Sequence, residues 1–345
     1  MALWTDIIDP ATLTGYARAS MADYEARRGT LARWLPNRDI GDIVARFVQG
    51  GTGLIDAARF RAYDAEIEIG KRPSAKRVTI ELPALGTNIP VSEYEQLRLR
   101  SGNVSDAAAL ATVQNTTDAV VRSVADAIEH MRGVVLATGR ATIDQDNFTS
   151  DDDFGRPASH QLVAADLWTT PAVSRLDYLQ MITDVYRDTT GEDPGSLVMS
   201  NRVFRALAAG DEFQTQLLNG AARQATETQV QDTVTGAGLP PIFRYDRRVS
   251  VNGVMTRPLP DDTILLLPAP VDSDDWQGTD LGATFWGRTL TSTDPAWSID
   301  DVSQPGIVAG VWRNDRPPMG IEVLSDAIGL PVLANADRSL AAKVL

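Results

Sequence analysis

The sequence predicts an α+β fold, and three features of its pattern support this prediction. Apolar residues recur every three or four positions over 105–138, which indicates one long helix. Residues 66–69 and 78–82 instead alternate with period two, as half-exposed strands do. Helices and strands do not follow one another in the regular order of a parallel α/β sheet. With 345 residues, of which 43% are hydrophobic, the chain can build a sizeable core in two subdomains.

The first 40 residues carry scattered apolar side chains around a charged stretch, 23–28. Trp4 and Trp34 are the largest of these side chains, and so short a segment cannot bury them by itself. Two interpretations stay open: an arm that contacts another subunit through Trp4 and Trp34, or an ordinary N-terminal helix on its own domain. Residues 1–6 lack the basic region and apolar stretch of a signal peptide, so we expect the protein in the cytoplasm of the producing cell.

Residues 41–85 predict an extended hairpin. The strands 66–69 and 78–82 are joined by 70–77, which is rich in turn residues and strongly basic in an acidic protein. A two-stranded hairpin is marginally stable in water, so a neighbour should cover its apolar face. The predicted contacts to that neighbour are Ile67, Ile69, Lys71, Arg72, Lys76, Arg77, Val78 and Ile80.

The helix over 105–138 is the clearest element of the chain. Ser105 is a plausible N-cap, Asp106 suits the positive end of the helix, and Gly139 is a natural stop. A helix of this length spans about 50 Å at 1.5 Å per residue. Since no second segment of this kind exists to form a coiled coil, we predict a spine helix along an elongated domain.

The remainder predicts shorter elements. Residues 140–170 are polar and turn-rich, a helix follows over 175–190, and 191–195 ends it. A further helix is predicted over 201–218. Asn252-Gly253 is a strong hairpin turn signal. Short strands are predicted at 196–200, 242–245, 248–251, 263–267 and 306–311.

Motifs for chemistry do not form a site. The tripeptide Asp153-Phe154-Gly155 is found in kinases, but neither His130 nor His160 lies in the catalytic triplet that a kinase also needs. The stretch 144–149 begins like a calcium loop, yet it has Phe148 and Thr149 where an oxygen ligand and a glycine belong. The chain has no cysteine, which excludes thiolate catalysis and zinc–thiolate sites. We therefore expect no catalytic residue, no metal site, no cofactor and no enzyme activity.

The charge of the chain also limits its partners. The formal net charge is −14, so the basic footprint of a tight nucleic-acid binder is absent. An acidic surface suits a container that must not adhere to DNA. No apolar run approaches the ~20 residues that a transmembrane helix needs, so we expect no membrane contact.

Several short segments follow one another along the chain: Glu81–Gly86 and then Ser92–Tyr94, Asp153–Arg156 and then Trp168, Pro260–Thr263, Phe285–Arg288, Asp294–Ala296, and Leu333–Asp337. In this order they resemble segments of the lambda-type major head proteins of tailed bacteriophages. Each segment alone is a weak signal, whereas the ordered series covers most of the chain.

The resemblance implies the Hong Kong 97-like capsid fold. The parts that it implies are an N-terminal arm (1–40), an extended loop (41–85), a peripheral domain with the spine helix (86–189), an axial domain (190–285) and a return to the peripheral domain (286–345).

The implied function is that of a major capsid protein that assembles into hexamers and pentamers of an icosahedral shell around phage DNA. Two forms of capsomer from one sequence require hinges, for which Gly50, Gly51 and Gly53 are well placed. The short arm implies a separate scaffolding protein, and the family implies a portal, in some members a decoration protein, and only non-specific contact with DNA. The expected location is the virion, after assembly in the host bacterial cytoplasm. A phage tail or head-completion protein, and an α+β enzyme with a carboxylate site, are the alternatives.

Overall fold

The structure, a computed structural model, describes residues 2–5, 8–50, 75–100, 106–145, 148–170, 172–213, 225–314 and 316–345. These ranges form helices and sheets in mixed order, so the predicted α+β class is confirmed. No helix among them is long and apolar enough to cross a membrane. The helices of the described ranges are α1 (Pro10–Arg28), α2 (Glu93–Arg100), α3 (Asp106–Thr138), α4 (Arg175–Thr190), α5 (Asn201–Ala208), α6 (Glu227–Gly236) and α7 (Leu290–Thr293).

The predicted spine helix is confirmed as α3. Gly139 follows it with φ of +74°, and the Gly139 N–H donates to the Val135 carbonyl at 2.8 Å, which closes the last turn. Ser105, the predicted N-cap, lies outside the described residues. Helix α4 also has the predicted bounds. Gly191 follows it in the left-handed conformation, as expected of the residue that ends a helix.

The helix predicted over 201–218 is wrong in its length. Helix α5 ends at Ala208, residues 211–213 are helical again, and 214–218 lie outside the described residues. The helix is interrupted at Gly210, where the chain passes close to Arg175. A Cβ on Gly210 would lie 2.6 Å from Nη1 of Arg175. Helix α6 has no counterpart in the prediction, since only Val230 and Val234 of it are buried.

The strands of the described ranges are β1 (Ala2–Leu3), β2 (Asn37–Asp39), β3 (Val44–Gly50), β4 (Ala75–Glu81), β5 (Ala84–Val91), β6 (Arg140–Gln145), β7 (Phe148–Asp153), β8 (Gln161–Val163), β9 (Ser196–Met199), β10 (Ile242–Arg244), β11 (Val249–Val251), β12 (Val254–Thr256), β13 (Thr263–Leu267), β14 (Gly282–Trp286), β15 (Val308–Arg313), β16 (Ile321–Leu333) and β17 (Leu340–Lys343). The short strands predicted after residue 195 are confirmed within one or two residues. Asn252 and Gly253 form the predicted turn, with φ of 52° and 78°.

Two main sheets organise the described residues. The first has the order β1-β15-β16-β14-β2, and β5 also pairs with the long strand β16. The second has the order β10-β9-β13-β17-β8. Helices α1 and α3 pack on the first sheet around Leu13 and Val124, while α4, α5 and α6 pack on the second around Ile182 and Leu266.

The sheets divide the chain differently from the predicted domain boundaries. Strands β8 and β17 belong to the second sheet, although the prediction placed both in the peripheral domain. Strand β14 belongs to the first sheet, although 190–285 was assigned to the axial domain. The differences arise because strand pairing joins residues far apart in sequence, which local patterns do not report; the predicted domain boundaries themselves stay a prediction.

Residues 140–153 are not simply turns. Strands β6 and β7 form an antiparallel two-stranded ribbon, here called the acidic ribbon, with Arg140 opposite Asp153. Ala141 is buried and Ile143 packs against the core, so one face of the ribbon alternates as a strand should. The run of aspartates on β7 hides this alternation in the sequence, because solvated carboxylates occupy positions that usually indicate turns.

Candidate assembly surfaces

Strands β3 and β4 form the base of the predicted extended loop. They pair in antiparallel register from Val44 opposite Glu81 to Gly50 opposite Ala75. The strand predicted at 66–69 lies outside the described residues, and residues 75–77 belong to β4 and not to a turn-rich link. Phe47 of β3 stacks on Phe285 of β14 with ring centroids 6.3 Å apart. The β3–β4 hairpin base is therefore packed against the chain's own core, and residues 51–74 follow β3 in the sequence.

The side chains predicted to contact a neighbour separate into several groups. Ile80 is only 6% exposed within the chain's own core, which corrects its prediction as an intersubunit contact. Val78 is half-buried against the same core, Arg77 is exposed, and the side chain of Lys76 is not described. Gly50 is the last residue of β3 and is paired in the ladder. The other predicted contacts and hinges lie outside the described residues: Ile67, Ile69, Lys71, Arg72, Gly51 and Gly53.

The N-terminal segment folds on its own domain. Trp34 is 4% exposed and its Nε1–H donates to Ser196 Oγ at 2.8 Å, so the prediction that Trp34 contacts another subunit is corrected. Trp4 is half-buried, its backbone N–H donates to the Val311 carbonyl, and the Arg313 guanidinium lies 5.3 Å from its ring centroid. The alternative of a helix on its own domain describes α1. It was left open because α1 has no strong apolar stripe to show which surface it covers.

A buried polar network, here called the hub, joins four segments of the chain. Arg132 of α3 has a fully buried side chain, and its guanidinium lies 2.7 Å from Glu25 of α1 and 3.2 Å from Glu129 one turn earlier in α3. The same guanidinium donates to Asn37 Oδ1 at 2.7 Å and to Thr284 Oγ1 at 3.0 Å. Such charges are tolerated in a core only because they are paired and hydrogen-bonded.

Glu129 extends the hub to the segment after β10. Its carboxylate accepts hydrogen bonds from the Leu31 N–H at 2.8 Å and from the Tyr245 hydroxyl at 2.6 Å. Burial raises the pKa of Tyr245, and the adjacent Glu129 carboxylate raises it further, so the hydroxyl remains a donor. Arg247 donates to Asp126 at 2.8 Å and to the Gly29 carbonyl at 2.9 Å. The hub thus fixes α1, the spine helix and the 245–247 segment relative to one another.

Sequence reasoning missed the hub. Its one local signal is the spacing of Glu129 and Arg132, which places an acid and a base one turn apart on α3. The other partners lie about a hundred or more residues away in sequence, as do Glu25 and Thr284.

Arg156, from the segment 153–156 that carried part of the resemblance, caps the spine helix. Its guanidinium donates to the carbonyls of Ala137 at 3.0 Å and Leu136 at 2.6 Å, and to Ser339 Oγ at 3.0 Å. Burial lowers the pKa of Arg156 to about 10, which still leaves the side chain charged at neutral pH. A cation at this position offsets the partial negative charge of the helix C-terminus. The neighbouring Phe154 is 1% exposed, so this motif serves packing.

Two aspartates of the acidic ribbon pair with an arginine on the neighbouring strand. Arg140 contacts Asp151 at 2.6 Å and Asp153 at 3.2 Å, and its hydrogen bond to Asp151 lowers the pKa of that carboxyl. Within the described ranges, no group of three or more acidic or histidine side chains could hold a metal ion.

Comparison with known proteins gives consistent results. The model of the family described as phage major capsid protein E matches residues 46–278. A structure described as the capsid protein of an E. coli CFT073 prophage superposes with a TM-score of 0.60 at 12% identity, over 98% of this chain and 99% of that one. A phage-related protein from Bordetella bronchiseptica RB50 also gives 0.60, at 15% identity over 99% and 98%. No curated protein is close enough in sequence to count as a match. The two structural matches confirm the predicted capsid fold.

Proposed function

The chain belongs to the phage major capsid protein E family, and from this premise we propose how it forms a shell. The protein is a major capsid protein, a structural component of the phage particle. We propose that copies of it assemble into hexamers and pentamers of an icosahedral shell around phage DNA, and that it has no enzyme activity. The observation that carries this proposal is the family match together with the ribbon β3–β4, which is built into the core and continues into residues 51–74.

The extended loop is the proposed means of contact between copies. Its sequence alternates apolar and polar residues at 66–69, and one face of such a strand requires cover. Laid over a neighbour, the loop would bury on the order of 1,000 Å², as stable interfaces do. A contact between two different surfaces of the same chain closes into a ring when the rotation between copies is right. Gly51 and Gly53 would allow the loop to adapt to rings of five and six.

The proposed partners follow from the same function. A scaffolding protein would direct curvature, a portal would replace one pentamer, and a decoration protein would bind the outer surface where the phage encodes one. Packaged DNA would be contacted without sequence preference, because the net charge of −14 opposes tight phosphate binding. Assembly is proposed to occur in the cytoplasm of the bacterial host, and Trp4 remains a proposed contact of the N-terminal segment.

The loop proposal is tested by Ile67→Asp and Ile69→Asp, with Glu68→Gln as the control on the other face of the same strand. We expect each aspartate variant to fold but to form no shells, because a carboxylate at an interface core must be desolvated without a partner. The measurement is sedimentation with negative-stain microscopy on protein co-expressed with the neighbouring phage genes, and circular dichroism reports folding. Normal particles from both aspartate variants would contradict the proposed role of the loop.

A further inference from the structure

The segment between Arg288 and Pro305, here called the excursion, connects β14 to β15 of the first sheet. A β-bridge between Arg288 and Pro305 closes its base. Trp297 inside it is 3% exposed and packs so closely over Gly310 that a Cβ there would lie 2.3 Å from the indole. The Arg18 guanidinium donates to the Pro305 carbonyl at 2.9 Å, which ties the excursion to α1. The excursion therefore has one defined shape.

The outer side of the excursion carries exposed apolar and acidic side chains. Leu290 and Val302 are each 90% exposed, the highest values among the large apolar side chains of the described ranges. Asp294, Asp300 and Asp301 are also exposed. Asp294 and Asp301 accept hydrogen bonds within the excursion, but none of the three lies within ion-pair distance of a cation among the described residues. Apolar and acidic groups held out on a rigid segment indicate a contact surface.

The chemistry of this surface points to another copy of the same chain. The stretch 71–77 holds four cations and no acid, in a chain whose net charge is −14. It adjoins the apolar positions 67 and 69, so it offers both complementary features, positive charge and aliphatic side chains. Complementary charges of this kind select the partner and the register of an interface.

The acidic ribbon is another acidic surface of the described residues, and its ion pairs distinguish it from the excursion. In the acidic ribbon, Asp151 and Asp153 are already paired with Arg140. In the excursion, the three carboxylates have no such partner among the residues that the structure describes. A basic segment therefore gains more from the excursion, where no existing ion pair has to be broken.

The course of β3 favours a contact between two copies over one within a single subunit. A Cβ on Gly287, where the excursion begins, would lie 3.0 Å from the Asp42 carbonyl, just before β3 starts. Strand β3 then runs back along β14, since Phe47 stacks on Phe285. Along its described length, β3 therefore leads away from the start of the excursion of its own subunit.

We propose that the excursion of one subunit, through Leu290, Val302 and the carboxylates of Asp300 and Asp301, receives the basic stretch 71–77 of a second subunit. This inference rests on the proposed function, and it assigns the surface on which the extended loop docks. The contact is heterologous, since two different surfaces of one chain meet, and it can therefore repeat from copy to copy around a ring.

The test is a charge exchange in the full-length protein. Asp300→Lys with Asp301→Lys places like charges opposite the basic stretch, and Lys71→Glu with Arg72→Glu does the same from the other side. We expect each double variant to lower the yield of sedimenting shells by roughly tenfold or more, because the weakened contact recurs at every subunit. Combining all four substitutions restores opposite charges and should restore the shells. Asp144→Lys with Asp152→Lys in the acidic ribbon is the matched control and should assemble normally.

The outcomes separate the inference from the function on which it rests. Wild-type protein that forms no shells would overturn both. Wild-type shells together with normal shells from the Asp300→Lys and Asp301→Lys variant, or a block in the acidic-ribbon control instead, would overturn the docking site alone. A fourfold variant that folds by circular dichroism but stays unassembled would also overturn it, whereas recovery of shells supports it.

Discussion

The hub and the acidic ribbon contain the same chemistry in opposite environments. Arg132 pairs with Glu25 and Glu129, and all three side chains are at most 6% exposed. Arg140 pairs with Asp151 and Asp153, and all three are at least 44% exposed. The buried arginine joins segments that are distant in sequence, whereas the exposed one joins adjacent strands. An arginine paired with two carboxylates therefore fixes the arrangement of segments when it is buried. When it is exposed, the same pairing contributes little.

Replacing the two arginines should give the largest contrast. Arg132→Ala leaves Glu25 and Glu129 buried without a cation, so we expect the free energy of unfolding to fall by about 3–5 kcal/mol. Arg140→Ala removes a solvated pair and should leave the unfolding midpoint nearly unchanged. Denaturant unfolding of the unassembled subunit, followed by circular dichroism, measures both. Equal losses for the two variants would contradict the role assigned to burial.

Gly133, next to Arg132 on the spine helix, extends the comparison, because the space around it and not its charge limits which residue can replace it. A Cβ on Gly133 would lie 2.2 Å from the Pro258 carbonyl oxygen, so Gly133→Ala must displace backbone. We expect a loss of about 1–3 kcal/mol, from overpacking. Gly15→Ala in α1 is the control, since nothing lies within 4 Å of its position.

At Gly15 the better helix propensity of alanine should instead raise the stability by up to about 1 kcal/mol. The two midpoints, measured in the same denaturant series, should therefore move in opposite directions. A stabilised Gly133→Ala variant would show that the spine helix does not approach residue 258 so closely.

The smallest expected effect concerns a buried group that is neutral. His160 is fully buried, its Nδ1 lies 3.1 Å from the Ser339 carbonyl oxygen, and Nε2 has no partner among the described residues. Burial lowers the pKa of His160, so the folded core favours the neutral ring over the protonated one. The unfolded chain therefore binds this proton more readily than the folded chain does.

The stability that depends on neutral His160 is present above the unfolded pKa of about 6.5 and is lost as the pH falls below it. We expect His160→Gln to flatten the decline of the unfolding free energy between pH 7 and pH 5, by at most about 1.4 kcal/mol per pH unit. Thermal or denaturant unfolding at several pH values measures this. Parallel curves for the variant and the wild type would refute a buried neutral histidine.

Sequence reasoning succeeded where short-range rules apply. The spine helix, its end at Gly139, the stop at Gly191 and the turn at Asn252-Gly253 all depend on residues within a few positions of one another. The family resemblance rested on equally short segments, and the family match confirms it. The acidic ribbon was missed because its aspartates resemble a turn, and α6 because two buried valines give too weak a stripe.

The candidate surfaces were predicted less well than the fold. The extended loop remains a proposed contact element, whereas Ile80 and Trp34 were assigned to interfaces and lie in the chain's own core. An apolar residue has the same sequence signature whether its own subunit or a neighbour covers it. The excursion has no signature either, since exposure of Leu290 and Val302 is a property of the folded surface.

By itself the sequence determined the α+β class, the spine helix, the absence of cysteine chemistry, the net negative charge and the family of the protein. Only the tertiary structure decided that β8 and β17 join the second sheet, that Arg132 is buried among Glu25 and Glu129, and which acids have no cation near them among the described residues. The physical reason is the separation in sequence between the residues that interact. Helix periodicity and turns depend on neighbours along the chain, whereas strand partners, ion pairs and burial depend on contacts between residues that only folding brings together.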